Sequence, residues 1–195
     1  MTFLQSYYSS GTYSAVSTVT VSNSGLLKTY YINETNACAV YGVAAILAYY
    51  IGGPSYFYSV LNTCIDVARS NPNYAYYDYY YQHWNYYINF GYVAPFANSC
   101  IEACNLNKYS YSSLLISKAR TEISNSRPCL LNIQYHNGYN VDHTVVAYQW
   151  KSYLIQIGYE EAFLSYFYRV KDGDCSTDLY VAQDAIVLAS VTVIQ

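Results

Sequence analysis

The chain changes texture at about Arg127, and that break constrains its fold more than any other feature. Between Asn36 and about Asn125 the apolar residues recur with helical spacing. From Arg127 to Gln195 they fall in short β-branched and aromatic runs of strand length. Helices in one half and strands in the other specify an α+β domain rather than an alternating α/β one. An N-terminal helical lobe packed on a C-terminal antiparallel sheet leaves an interlobe cleft. The 195 residues suffice for one domain that buries roughly 70% of its unfolded surface, so neither a metal nor a cofactor is needed to hold it together.

The clearest helix starts near Asn36, with Thr35 or Asn36 as N-cap. Val40, Val43, Ala44 and Leu47 share one face, and Gly52-Gly53-Pro54 ends it. Further helices are expected over Tyr56–Arg69, Tyr79–Phe90 and Ser112–Ser124, the last with Leu115, Ile116, Ala119 and Ile123 on its apolar face. Strands are expected at Cys129–Tyr135, Thr144–Trp150, Tyr153–Tyr159, Phe163–Val170 and Ala185–Ile194. Residues 1–30, rich in Ser, Thr and Tyr with one β-like run from Ser14 to Ser22, read as a lead-in that packs on a domain spanning 31–195.

Charge excludes some functions. Only 11% of residues are charged, against ~25% in ordinary soluble proteins, while 53% are apolar, a balance opposed to intrinsic disorder. Nine basic residues against twelve acidic ones form no Lys/Arg cluster, so the positive stripe that nucleic acid requires is missing. No run reaches the ~18 apolar residues of a membrane span. The opening Met1-Thr2-Phe3-Leu4-Gln5 lacks the basic and apolar regions of a signal peptide, as would a chain whose leader had been removed. The 29 tyrosines can cover an outer surface without charge, their rings apolar and their tips polar.

Six cysteines stand at 38, 64, 100, 104, 129 and 175 with no C-x-x-C pair, which argues against a zinc ribbon or a thioredoxin motif. Their pairing is not readable from spacing. Most cysteines in such a chain are small buried apolar residues. Cys38 differs because it opens the best helix, where unpaired N–H groups and the helix dipole favour a thiolate. A thiolate nucleophile needs a base, and there are three histidines. His143 directly precedes the apolar run Thr144-Val145-Val146-Ala147-Tyr148, so a buried strand would hold it rigidly. His136 sits in a turn-like stretch and His83 among aromatic residues. A third group must orient the imidazole. Asp172 follows the strand ending at Val170 and can reach the ring; Asp142 and Asp174 compete for that role.

These segments resemble the papain-like cysteine peptidases, most of all the bacterial branch that includes bacteriocin-processing (double-glycine) peptidases and streptopain. The resemblance rests on Asn36-Ala37-Cys38-Ala39-Val40-Tyr41-Gly42 running to Tyr49-Tyr50, on Arg127-Pro128-Cys129-Leu130-Leu131, on Asp142-His143-Thr144-Val145, and on Arg169-Val170-Lys171-Asp172-Gly173. It spans roughly residues 30 to 180. It implies a Cys38–His143–Asp172 triad and an oxyanion donor before the cysteine. The usual Gln is absent, and Asn33 is the nearest side-chain amide. Departures include Ala39-Val40 where many relatives have Gly-Pro, Asp142 where they have Gly, and Asp174 where an aromatic often follows.

The expected function is therefore hydrolysis of a peptide or isopeptide bond in a peptide or protein substrate, without cofactor or metal. An acyltransferase or transglutaminase would use the same three residues, and an inactive homologue would keep the fold. From a different class, a secreted Tyr-rich binding module would line a groove with aromatic rings and leave Cys38 too far from His143 to react. The resemblance implies an extracellular or cell-surface location. Oligomeric state is not legible.

Overall fold

The computed structural model describes residues 11–33, 36–136, 140–173, 179–183 and 186–195, with the side chains of 134–142 and 186–189 excepted. Helix α1 (Cys38–Ile51) is the centre of the molecule, and every residue from Ala39 to Ala48 is buried. The sequence suggests one apolar stripe, yet the helix is covered all round. The sheet lies on one side, with α2 (Phe57–Arg69) and α3 (Phe90–Ala103) against the others. A helix that is apolar on every face has no other stable place.

Among the described residues the sheet has seven antiparallel strands: β1 (Gly11–Thr20), β4 (Ser110–Ser113), β5 (Cys129–His136), β6 (Asn140–Ile157), β7 (Phe163–Lys171), β8 (Leu179–Ala182) and β9 (Ile186–Ile194). Their order is β4-β9-β5-β6-β7-β8. The long strand β6 organises it. β5 pairs with its first half, from Asn140 to Ala147, and β1 with its second, from Gln149 to Ile157, while β7 pairs with Val146 to Ile155. Thr144–Trp150 and Tyr153–Tyr159, separate in the sequence reading, are thus one strand through Lys151-Ser152. Neighbours at Thr18 and Phe167, and at Ser17 and Tyr166, supply the backbone partners there. The run expected at Ser14–Ser22 is strand β1 within the sheet.

Other expectations need correction. Tyr79–Phe90 is not a helix: β2 (Tyr76–Asp78) and β3 (His83–Asn85) form a hairpin across it. Its tyrosines carry no helical stripe and favour strand geometry. Helix α3 starts at Phe90 instead, where the Asn89 side chain accepts the Gly91 N–H at 3.1 Å as an N-cap. Helix α4 is only Ser117–Ser124, because Ser110–Ser113 pairs with β9. Ala119 and Ile123 are buried as expected, whereas Leu115 is exposed. Strand β8 carries no signal distinct from its surroundings.

Two features fix α1 on the sheet. Gly42 faces β5 and β6 so closely that a Cβ there would lie 2.9 Å from Leu130 Cδ2. Beside that contact, the buried Asn132 joins three strands. It donates to Ser190 Oγ and Thr192 Oγ1, each at 3.0 Å, and accepts from Thr144 Oγ1 at 2.9 Å. A one-residue slip of β5, β6 or β9 would turn this cluster over and leave polar groups unpaired. Replacing Asn132 with Ala strands three hydroxyl groups and should cost about 3 kcal/mol. For a domain of this size that lowers the thermal midpoint by roughly 6–12 °C. A midpoint unmoved by the substitution would show that the cluster does not hold the register.

Candidate functional site

Strand β7 stops at Lys171, opposite Val146, so among the described residues the edge of β6 before Val146 has no strand beside it on that side. The first residue of α1 occupies this notch. Cys38 is the N1 residue, and its sulfur accepts hydrogen bonds from the backbone N–H groups of Ala39, in its own helix, and Thr144, on the strand edge. The side chain of His143 bonds it as well. The chain leaving β7 turns at once through Asp172, whose Oδ1 lies 2.6 Å from His143 Nε2. With Nε2 engaged by the carboxylate, Nδ1 is the nitrogen left for the sulfur. His143 and Asp172 are both buried, while Cys38 is partly exposed.

This turn depends on Gly173. Its φ of +87° suits glycine, and a Cβ would come within 2.6 Å of Ile32 Cδ1 and 2.8 Å of Tyr30 Cε2. The segment preceding α1 runs against the same turn. Ile32 N–H donates to the Gly173 carbonyl at 3.0 Å, and Tyr30 Oη to the Lys171 carbonyl at 3.5 Å. The strap before the cysteine and the turn behind the histidine are thereby one unit.

The electrostatics are those of an ion pair. Burial pushes the Cys38 thiol up, but the hydrogen bond and charge of His143 and the two backbone N–H groups outweigh it and hold the thiol below its ordinary value. Burial alone would lower the imidazole; Asp172 and Cys38 reverse that and raise His143 to about 10. The other displaced thiols move the opposite way. The hydrogen bond to Cys100 and burial raise Cys64, burial raises Cys104 to about 11, and burial raises Cys129. Cys38, Cys64, Cys100, Cys104 and Cys129 are all unbridged.

Asn33 lies on the strap, exposed, and lines a cavity of about 440 Å³ with Lys28, Thr29, Tyr30, Tyr31, Tyr41, Phe57 and Tyr58. Tyr41 is one turn along α1 from Cys38, but Cys38, His143 and Asp172 are not among the residues that line the cavity. Asn33 forms no hydrogen bond to another described residue, so its amide is available. The helix is not capped as the sequence suggests: Ala37 holds the N-cap position, and Asn36, at φ +57°, points its amide to Asn85 Oδ1 at 3.2 Å. Thr35, Asp174 and Cys175 lie outside the described residues, as do the side chains of His136 and Asp142. His83 sits on β3 with Nδ1 3.4 Å from the Tyr81 carbonyl oxygen. The N–H groups of Ala39 and Thr144 were not singled out in the sequence. That of Ala39 follows from any helix start, but that of Thr144 requires knowing where β7 ends.

Among the described residues, no group of three or more His, Cys, Asp or Glu side chains is arranged to hold a metal. No helix there is long and apolar enough to cross a membrane. Comparison with protein-family models, curated proteins and solved structures finds no match to the chain.

The ion pair has a titration signature. Thiolate absorbance near 240 nm should appear with a midpoint below the ordinary 9.0 in the wild-type protein and rise in His143→Ala, where only the backbone N–H groups of Ala39 and Thr144 still oppose burial. Because the His143 pKa is raised, its contribution to stability is complete below the ordinary 6.5 and is lost as pH climbs through about 10. The stability advantage of the wild type over His143→Ala should shrink across that window. A thiolate midpoint unaffected by the substitution would separate the two residues.

Proposed function

We propose that this chain is a thiol hydrolase acting on peptide or isopeptide bonds. Within that class we place it with the papain-like cysteine peptidases. The observation that carries the reading is the chain of contacts from Cys38 sulfur through the His143 ring to Asp172 Oδ1, set where a helix start meets an open strand edge. The α+β architecture and the order Cys, His, Asp along the chain support it. The binding-module reading expects Cys38 apart from His143, and their hydrogen bond counts against that version.

The chemistry follows from these positions. The Cys38 thiolate attacks the carbonyl carbon of the scissile bond, and the carbonyl π electrons move onto oxygen. The Cys38 backbone N–H, one of the unpaired donors at the helix start, and the Asn33 amide are the groups assigned to that oxyanion. As the tetrahedral species collapses, His143 gives its proton to the departing amine and the C–N bond breaks, leaving a thioester on Cys38. His143, now neutral, takes a proton from water. The hydroxide formed adds to the thioester, and collapse releases the carboxylic acid and restores the thiolate–imidazolium pair. Asp172 keeps the proton on Nε2 and the ring aimed at sulfur throughout. An added amine intercepting the thioester in place of water would make the same site an acyltransferase, and product analysis with and without amine distinguishes the two.

An unfolded protein such as dephosphorylated β-casein, incubated with the purified chain, is the direct test. Cys38→Ala should abolish cleavage and His143→Ala should lower it by 10²–10⁴-fold, the range of a general acid–base group. The rate should follow a bell in pH whose acid limb is the loss of the thiolate and whose alkaline limb is the loss of the imidazolium proton near 10. Iodoacetamide should label Cys38 ahead of the other cysteines at neutral pH. An inert Cys38, or cleavage that survives Cys38→Ala, would end the assignment.

A further inference from the structure

The hairpin β2–β3 carries at its tip a set of exposed aromatic rings that neither the core nor the thiol chemistry uses. Residues 76–87 read YYDYYYQHWNYY. Tyr79 and Tyr80 are each 85% exposed and Tyr81 is 69% exposed, so three consecutive large rings stand in water at the hairpin tip. Isolated exposed aromatics are ordinary; a contiguous set on one projection marks a contact surface.

The cluster is built rather than loose. A two-stranded hairpin is marginal alone, and here several contacts brace it. Asp78 Oδ1 accepts the N–H groups of Tyr80 and Tyr81 at 2.9 and 3.1 Å, which closes the turn. The rings meet edge to face: Tyr80 with Tyr81 at 4.8 Å, Tyr77 with Tyr79 at 5.1 Å, and Tyr77 with Trp84 at 5.6 Å. The Arg69 guanidinium at the end of α2 lies 5.3 Å from the Trp84 ring centre and bonds Tyr86 Oη at 2.9 Å, anchoring the hairpin to the helical layer. The base of the hairpin reaches the site, because Asn85 accepts from Asn36, two residues before Cys38.

We infer that this aromatic finger docks the polypeptide substrate of Cys38, holding an extended, weakly charged segment of it outside the notch; the inference rests on the hydrolase reading above. The occupant follows from the finger's chemistry. Its one carboxylate, Asp78, is committed to the turn, and the segment has no Lys or Arg, so charge cannot select the partner. Flat rings with hydroxyl tips suit an extended or proline-containing chain, which offers planes to stack on and backbone groups to bond. Joined to the strap that leads into Cys38, such a contact would raise the local concentration of substrate at the thiolate without entering the chemistry.

The test uses the full chain and dephosphorylated β-casein, a disordered proline-rich probe. In the Cys38→Ala protein, replacing Tyr79, Tyr80 and Tyr81 together with Ser should weaken casein binding 10–100-fold, and 0.5 M salt should change the wild-type affinity little. In the active protein the same triple substitution should raise KM for casein by a similar factor. It should leave kcat, and the cleavage of any short casein-derived peptide that the enzyme accepts, nearly unchanged. Tyr159→Ser serves as control, since that fully exposed ring sits beyond the far end of β6, roughly 45 Å along the strand from His143. Unchanged thermal midpoints would show that the variants fold. Casein binding indifferent to the triple substitution, or steeply lowered by salt, would overturn the proposal. So would chitohexaose binding that requires the three rings while casein binding does not. Ring-dependent casein binding by a wild-type protein that cleaves nothing would uphold the docking role and remove the hydrolase reading.

Discussion

Everything near the candidate site depends on how closely one buried helix approaches one sheet. Helix α1 touches β5 and β6 through a glycine, Gly42, because Leu130 occupies the space a side chain would need. That approach brings the first turn of the helix level with the edge of β6 and lets a strand N–H, that of Thr144, reach the sulfur of Cys38. A bulkier residue at position 42 would have to displace the Leu130 side chain or lift the helix, and a lifted helix would carry the sulfur away from its strand donor. Packing density and thiol chemistry are here the same constraint seen at two points along α1.

The electrostatic consequence is selective. Burial acts on the thiols of Cys38, Cys64, Cys104 and Cys129, and in each it opposes the charged form. Only at Cys38 are two backbone donors and an imidazolium present to reverse it. The imidazolium in turn persists in a buried place because a carboxylate lies 2.6 Å from its far nitrogen. Each charge in the row needs the next, so removing either end leaves a buried group without compensation. The positive φ of Gly173 and the strap at Tyr30 and Ile32 serve this arrangement by fixing the carboxylate behind the ring.

The tyrosines follow a different logic. Many of them are structural: Tyr30, Tyr41 and Phe57 pack together under the strap, and Tyr49 and Tyr50 carry their hydroxyls to backbone oxygens of Ser22 and Ile194 at the end of α1. The hairpin set instead faces water. In a chain with so little charge, the same residue type supplies both core and outer surface, and only its position says which.

What the residues alone determined is local. The helix at Cys38, the helix ending at Arg69, the strands at Cys129 and Phe163 and the α+β class were legible because apolar spacing and Gly-Pro stops act over a few residues. Cys38, His143 and Asp172 could be singled out because the sequence sets each at the edge of such an element, although His143 lies inside β6, paired with Ile133, rather than before it. Tertiary structure decided the rest. Helix α3 was hidden by Pro95, although Val93, Ala97 and Cys100 keep helical spacing behind an Asn89 cap. The hairpin was hidden because a run of tyrosines has no period. The two-part reading of β6 failed at Lys151-Ser152, where partners far away in sequence complete the strand. The N–H of Thr144 became a sulfur ligand only because β7 ends at Lys171, and where a strand ends against its neighbour is a property of the assembled sheet.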